Sequence, residues 1–179
     1  MDTHTQAGRW DMIIAHPPCT YLCLSGQKHC NPLLFGEKAI ERQAKREEAV
    51  DFFMKFVNAD CDRIAIENPV GIMTRRYKKP TQYIQPLMFG DATSKKTGLW
   101  LKGLPPLEPT NIVEEEYHIS STGRKWDKWF WDSSLISDLA ERSRFRSKTF
   151  PGIARAMATQ WTTPQVKTQM SLFESEVTA

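Results

Sequence analysis

No stretch of this sequence approaches the roughly 20 consecutive apolar residues that a membrane-spanning helix requires, and its first residues lack the basic-then-apolar layout of a secretory signal. Cysteine is scarce: Cys19, Cys23, Cys30 and Cys61 are the only four in 179 residues, and three of them fall within twelve positions. Thiols crowded in this way make a poor disulfide framework for a chain of this length, so we expect reduced thiols and a cytoplasmic protein. Internal repeats are missing too. What is present is 40% hydrophobic and 25% charged residues, a balance that suits one globular domain with a real core.

Acidic residues are locally rare. Residues 70–103 hold seven Lys/Arg against Asp91 alone, and residues 124–155 hold eight against four acids. Between them, 104–123 carries Glu108 and Glu114 to Glu116 with no Lys or Arg, so the net charge of +3 conceals strong blocks. Basic blocks suit a polyanionic partner, and a solvated surface accounts for them equally well.

"WDMIIA" (10–15) reads as a buried strand ending at His16-Pro17-Pro18. Residues 37–57 read as an amphipathic helix with Ile40, Ala44, Val50, Phe53 and Val57 near one stripe and Glu41–Lys45 as an i,i+4 pair. "DRIAIE" (62–67) reads as a second buried strand, stopped by Asn68-Pro69. Strand, helix, strand predicts a βαβ unit with parallel strands and a right-handed crossover. "QYIQPLMFG" and "TGLWLKGL" read as further strands, and a helix is expected near Thr149 with Pro151 in its first turn. The expected fold is α/β, a partial Rossmann-like sheet with flanking helices over 1–161, followed by a polar tail at 162–179.

Ligands of an open parallel sheet bind outside the carboxyl ends of its strands. Both strands of the βαβ unit end there in a proline-stiffened loop, which brings Cys19 and Glu67 toward one pocket. A cysteine beside a glutamate suits chemistry on a pyrimidine: the thiolate adds to C6 while the carboxyl group engages N3 and the 4-amino group, so that C5 accepts a one-carbon unit. The attacking sulfur must be held within about 3–3.5 Å of its target carbon, and two prolines ahead of it restrict the loop.

Pro18-Cys19 and Glu67-Asn68-Pro69 together resemble the Pro-Cys and Glu-Asn-Val motifs of the DNA cytosine-5 methyltransferases. The chain is similar above all to compact phage and prophage proteins related to these enzymes, along "DMIIAHPPCTYL", "RIAIENPVG", "TGLWLKGLPPLEPTN" and "TFPGIARAMATQW". The resemblance implies a methyltransferase-derived sheet, with Cys19 as nucleophile and Glu67 as the acid that engages the base. Asn68, Pro18, His16 and Thr20 then shape the base-binding loop. A base inside duplex DNA would have to be flipped out to reach them. Two departures stand out. Pro69 replaces the usual valine and Thr20 the common glutamine. The family's S-adenosylmethionine site, a glycine-rich loop and an acid on strands upstream of Pro-Cys, has no counterpart: only nine residues precede Trp10, and no two of the nine glycines form GxG. S-adenosylmethionine is therefore implied by resemblance only, and none is expected on this chain alone.

Other readings stay open. Cys19 as a small buried hydrophobe is one; for Cys23, Cys30 and Cys61 the core is the expected place. His16, Cys19, Cys23, His29 and Cys30 lack the paired knuckles of a zinc site, so no metal is expected. "RKWDKWFWD" (124–132) alternates aromatic and basic residues as a base-stacking surface would, although tryptophans more often bury area. Lys95, Lys96, Arg142, Arg144 and Arg146 are phosphate-contact candidates on charge alone. In the tail, Gln169, Leu172 and Phe173 of "QMSLF" resemble the short peptide by which bacterial proteins dock on the DNA sliding clamp. The two functions carried forward are a cytosine-5 methyltransferase-like protein acting on or binding cytosine in DNA, and a non-catalytic nucleotide-binding or sequestering phage protein. A sheet without its upstream strands has an edge to cover, which predicts a homodimer or a donor-binding partner chain.

Overall fold

Strands β1 (Ile13–Ala15) and β2 (Ile64–Pro69) pair in parallel, from Ile13 opposite Ile64 to Ala15 opposite Ile66. They belong to a computed structural model that describes residues 10–162. The crossover between them contains a 3-10 segment (Leu24–Cys30), the short helix α1 (Pro32–Phe35) and the long helix α2 (Glu37–Val57). Gly36, with φ of 53°, makes the bend from α1 into α2 in a backbone region that other residues rarely adopt. The Glu41–Lys45 pair forms on α2 at 2.5 Å.

The short helix α3 (Met73–Arg76) follows β2. Strands β3 (Gln82–Ile84) and β4 (Thr97–Lys102) then complete a four-stranded sheet of order β1-β2-β4-β3. β4 is antiparallel to both its neighbours, so β3 runs in the direction of β1 and β2 and the sheet is mixed. A hairpin, β5 (Tyr117–Ile119) and β6 (Lys125–Asp127), leads into α4 (Lys128–Ser134) and α5 (Leu139–Ser147). The helix α6 (Pro151–Thr162) closes the described chain, with Pro151 in its first turn as the sequence predicts.

Successive side chains of a strand point to opposite faces. Ile64 and Ile66 of β2 and Trp100 of β4 accordingly share one apolar cluster with Val50 and Phe53 of α2. Ala65 and Leu99 share the other with Ile153, Met157 and Trp161 of α6. Each fully buried large side chain contributes roughly 1.5–3 kcal/mol of burial, so these two clusters hold the sheet between α2 and α6.

Several expectations need correction. β1 covers only Ile13–Ala15 and is an edge strand of the described sheet, with Ile14 exposed rather than buried. β2 is not stopped at Asn68-Pro69: both residues pair with β4, opposite Gly98 and Thr97. On α2 the stripe fails at its amino-terminal end, where Ile40 and Ala44 are exposed and Ala39 is buried instead. That end of α2 packs on α1 and the 3-10 segment, and only its later turns meet the sheet. Cys30 and Cys61 are buried as expected, but Cys23 is half-buried, its Sγ 3.2 Å from Ser25 Oγ. Among the described residues no helix is long and apolar enough to cross a membrane. Gln169, Leu172 and Phe173 lie outside the described residues.

Candidate functional site

Because β1 and β2 are parallel, the loops leaving them share one rim of the sheet, and β4, running the other way, begins at that rim. The first loop carries His16 to Thr20; β2 delivers Glu67 and Asn68; the pairing of Pro69 with Thr97 brings Lys95 alongside. His16 Nδ1 donates to Glu67 Oε2 at 2.8 Å, joining the two strand ends. Asn68, buried, donates from Nδ2 to the carbonyl of Pro17 at 2.8 Å. A buried amide left without that acceptor would cost about 1–3 kcal/mol, so this bond fixes the Pro-Pro-Cys backbone against β2. Asn68 thus ties the loop to the end of β2.

Beyond Cys19 the chain is held at three further points. Leu22 and Cys23 both donate their N–H to the Cys19 carbonyl, at 3.0 and 2.9 Å. Arg42 of α2 donates to the carbonyls of Thr20 (2.8 Å) and Gly26 (3.3 Å) while its guanidinium lies 4.9 Å over the Tyr21 ring. Ile72 N donates to Leu22 O at 2.8 Å across Gly71, where a Cβ would stand 2.1 Å from that oxygen. Only glycine permits so close an approach. Nothing in the sequence singles out Arg42; its role depends on the crossover folding back onto the loop.

Cys19 is solvent-exposed. Even so, the protein packed around its sulfur raises the thiol above its ordinary value of 9.0. Cys23 and Glu67 add to the rise and Lys95 opposes it, so the free protein holds a thiol at neutral pH. Lys95 is the residue that charge alone misplaces. Its Nζ donates to the carbonyl of Arg146 at 3.0 Å and sits 5.3 Å over Trp129 and 5.6 Å over Phe150. It also lines, with Glu67, Thr97 and Ser147 to Phe150, a cleft of ≈ 30 Å³. That is about the share of one water molecule in the liquid. Glu67 reaches this cleft and Cys19 does not line it, and the space beside Glu67 is smaller than a base.

Among the other phosphate-contact candidates, Lys96 lies 4.5 Å over the Tyr83 ring. Arg142 donates twice to the carbonyl of Ile136, and Arg146 donates to Ser133 Oγ and lies over Phe130. Arg146 therefore ties α5 to α4 and Arg142 ties α5 to the connection between them, while Arg144 is exposed. In "RKWDKWFWD" the rings pack mainly on neighbours: Trp131 stacks on His118 at 4.0 Å and Trp129 on Phe145 at 5.6 Å. Among the described residues no group of three or more His, Cys, Asp or Glu gathers to hold a metal. β1 is the edge strand of the described sheet. Comparison with family models, with curated proteins and with solved structures finds no match.

Proposed function

We propose that the chain carries the nucleophile and base-binding half of cytosine-5 methyltransferase chemistry, on a methyltransferase-derived half-sheet, and that it binds or acts on cytosine in DNA. The observation that supports it is the joining of the Pro17-Pro18-Cys19 loop to Glu67-Asn68 through His16 and Asn68. In this reading a flipped pyrimidine enters once Ser147–Phe150 give way, and Glu67 holds its N3 edge. Cys19 gives its proton to solvent and adds as the thiolate to C6; the C5–C6 π bond opens, and a proton taken up at N3, against Glu67, balances the charge on the ring. Any later one-carbon transfer depends on a donor held by a partner chain, for which the β1 edge of the described sheet, where Trp10 and Ile14 are exposed, is the natural place. The raised thiol favours a second reading, in which the same rim holds a nucleotide without reacting. In both readings the tail peptide at Gln169 to Phe173 tethers the protein to the bacterial sliding clamp.

An oligonucleotide containing 5-fluorocytosine tests the first reading, with extract of the source cells as the supply of donor and partner. A covalent adduct is expected, lost in Cys19→Ser and kept in Cys23→Ser. Adduct formation retained in Cys19→Ser would remove the assignment; binding without adduct in every condition would leave the nucleotide-holding reading.

A further inference from the structure

We infer that the cleft between α2 and α3 is a second binding site, for a phosphate-bearing ligand of nucleotide size. The cleft measures ≈ 570 Å³ and has an apolar floor of Ile40, Ala44 and Ile72 beneath three guanidinium groups, Arg46, Arg75 and Arg76. None of its lining residues belongs to the Cys19–Glu67 rim. Glu47 takes Arg76 with both carboxylate oxygens, which leaves Arg46 and Arg75 without a neutralising acid among the described residues. Arg46 Nε is also closed off from solvent and meets no acceptor there.

A buried donor with nothing to bond is destabilising, and Arg46, half-buried as a residue, carries that cost at its Nε. A guanidinium presents a planar fork that matches an oxyanion with two acceptor oxygens. Two such forks, from α2 and α3, suit the several oxygens of one phosphate better than the two of a carboxylate. The volume lies within the roughly 300–1,000 Å³ typical of small-molecule sites, far more than a lone anion needs, and the apolar floor receives the sugar and base attached to the phosphate. This also explains why Ile40 and Ala44 face outward: they are floor, not core.

The phosphate belongs to a free nucleotide or to a unit of a nucleic-acid strand, and binding measurements on the full chain separate the two. The probes are inorganic phosphate, deoxycytidine monophosphate, a single-stranded oligonucleotide and a glutamate-rich peptide. Arg75→Gln, at an exposed position, and Arg46→Met should each weaken mononucleotide or oligonucleotide binding about tenfold or more. Lys79→Gln, outside the cleft, should leave it unchanged. Without ligand, Arg46→Met should melt at the same temperature as the parent or higher. A mononucleotide bound as tightly as the oligonucleotide marks the free ligand; binding of the oligonucleotide alone marks the strand. The assignment is overturned if no phosphate-bearing probe binds, or if both variants stay within twofold of the parent. It is equally overturned if the acidic peptide binds as tightly as the nucleotide and is lost with Arg75, or if Lys79→Gln removes the same binding.

Discussion

The four-stranded sheet and the hairpin–helix module that follows it are built on different principles. The sheet buries an apolar cluster on each face, with Phe53, Leu99 and Trp161 all inaccessible or nearly so. Across residues 111–150 the one fully buried residue is Ser133, which donates to Phe130 O and accepts from Arg146. Rings and cations hold the module instead: His118 on Trp131, Arg124 over Trp126, Lys125 over Tyr117 and Arg146 over Phe130. A scaffold held by burial can position a site, whereas one held by half-exposed rings keeps those rings available to a partner. The rim that carries Cys19 and Glu67 belongs to the first kind of structure, and Lys95 is where it meets the second.

The sharpest way to break the comparison is to truncate one aromatic in each region. Phe53→Ala should cost about 3–5 kcal/mol in chemical denaturation, because it opens a cavity in a closed cluster. Trp131→Ala should cost less, about 1–3 kcal/mol, from the ring pair on His118 together with the partial burial of a half-exposed ring. Equal losses would show that the module has a core of its own weight.

Asp127 gives the intermediate effect. Its Oδ1 caps α4 through Phe130 N at 2.7 Å, and its Oδ2 accepts from Thr93 Oγ1 and Ser94 N at 2.5 and 3.1 Å. Asp127→Ala should cost about 1–2 kcal/mol, the usual loss for a helix cap. Hydrogen exchange should rise in β5 to α5 and stay unchanged in β2 and β4. Uniform deprotection across both regions would mean that they open as one unit.

These regions differed in how far they could be read in advance. Strand β2, helix α2 and the parallel pairing were legible because Ile64, Ile66, Val50 and Phe53 repeat at the periods of buried elements. Strands β5 and β6 were not: each has three residues, and Tyr117, His118, Lys125 and Trp126 carry no alternation to mark a buried face. At the rim, Cys19 and Glu67 were legible from two proline-bounded loops, and Asn68 from its neighbour. Arg42 and Lys95 were not, because their positions follow from tertiary register: the antiparallel pairing of Pro69 with Thr97 places Lys95, and the fold-back of the crossover places Arg42. Ile40 and Ala44 were misread because helical periodicity finds an apolar face without revealing what covers it.

The smallest effect tests whether the two regions communicate at all, and its readout is the titration of Cys19. The rate of alkylation of a thiol follows its thiolate fraction, so it rises with pH toward a plateau, and here the midpoint should lie above the ordinary thiol value. Lys95 lowers that midpoint by favouring the thiolate, so Lys95→Met should move it upward and slow alkylation at pH 8. Cys23→Ser and Glu67→Gln each remove a group that raises it, and both should move it downward and speed the reaction. Trp129→Ala leaves every charge at the rim in place but takes away the ring over which the Lys95 ammonium rests. If the module positions Lys95, Trp129→Ala should shift the midpoint in the same direction as Lys95→Met, by less. A midpoint that moves with Lys95→Met and not with Trp129→Ala would mean that the backbone carbonyl of Arg146 alone is enough to hold the ammonium. A midpoint that ignores both would separate the module from the chemistry of the rim, leaving binding as its only contribution.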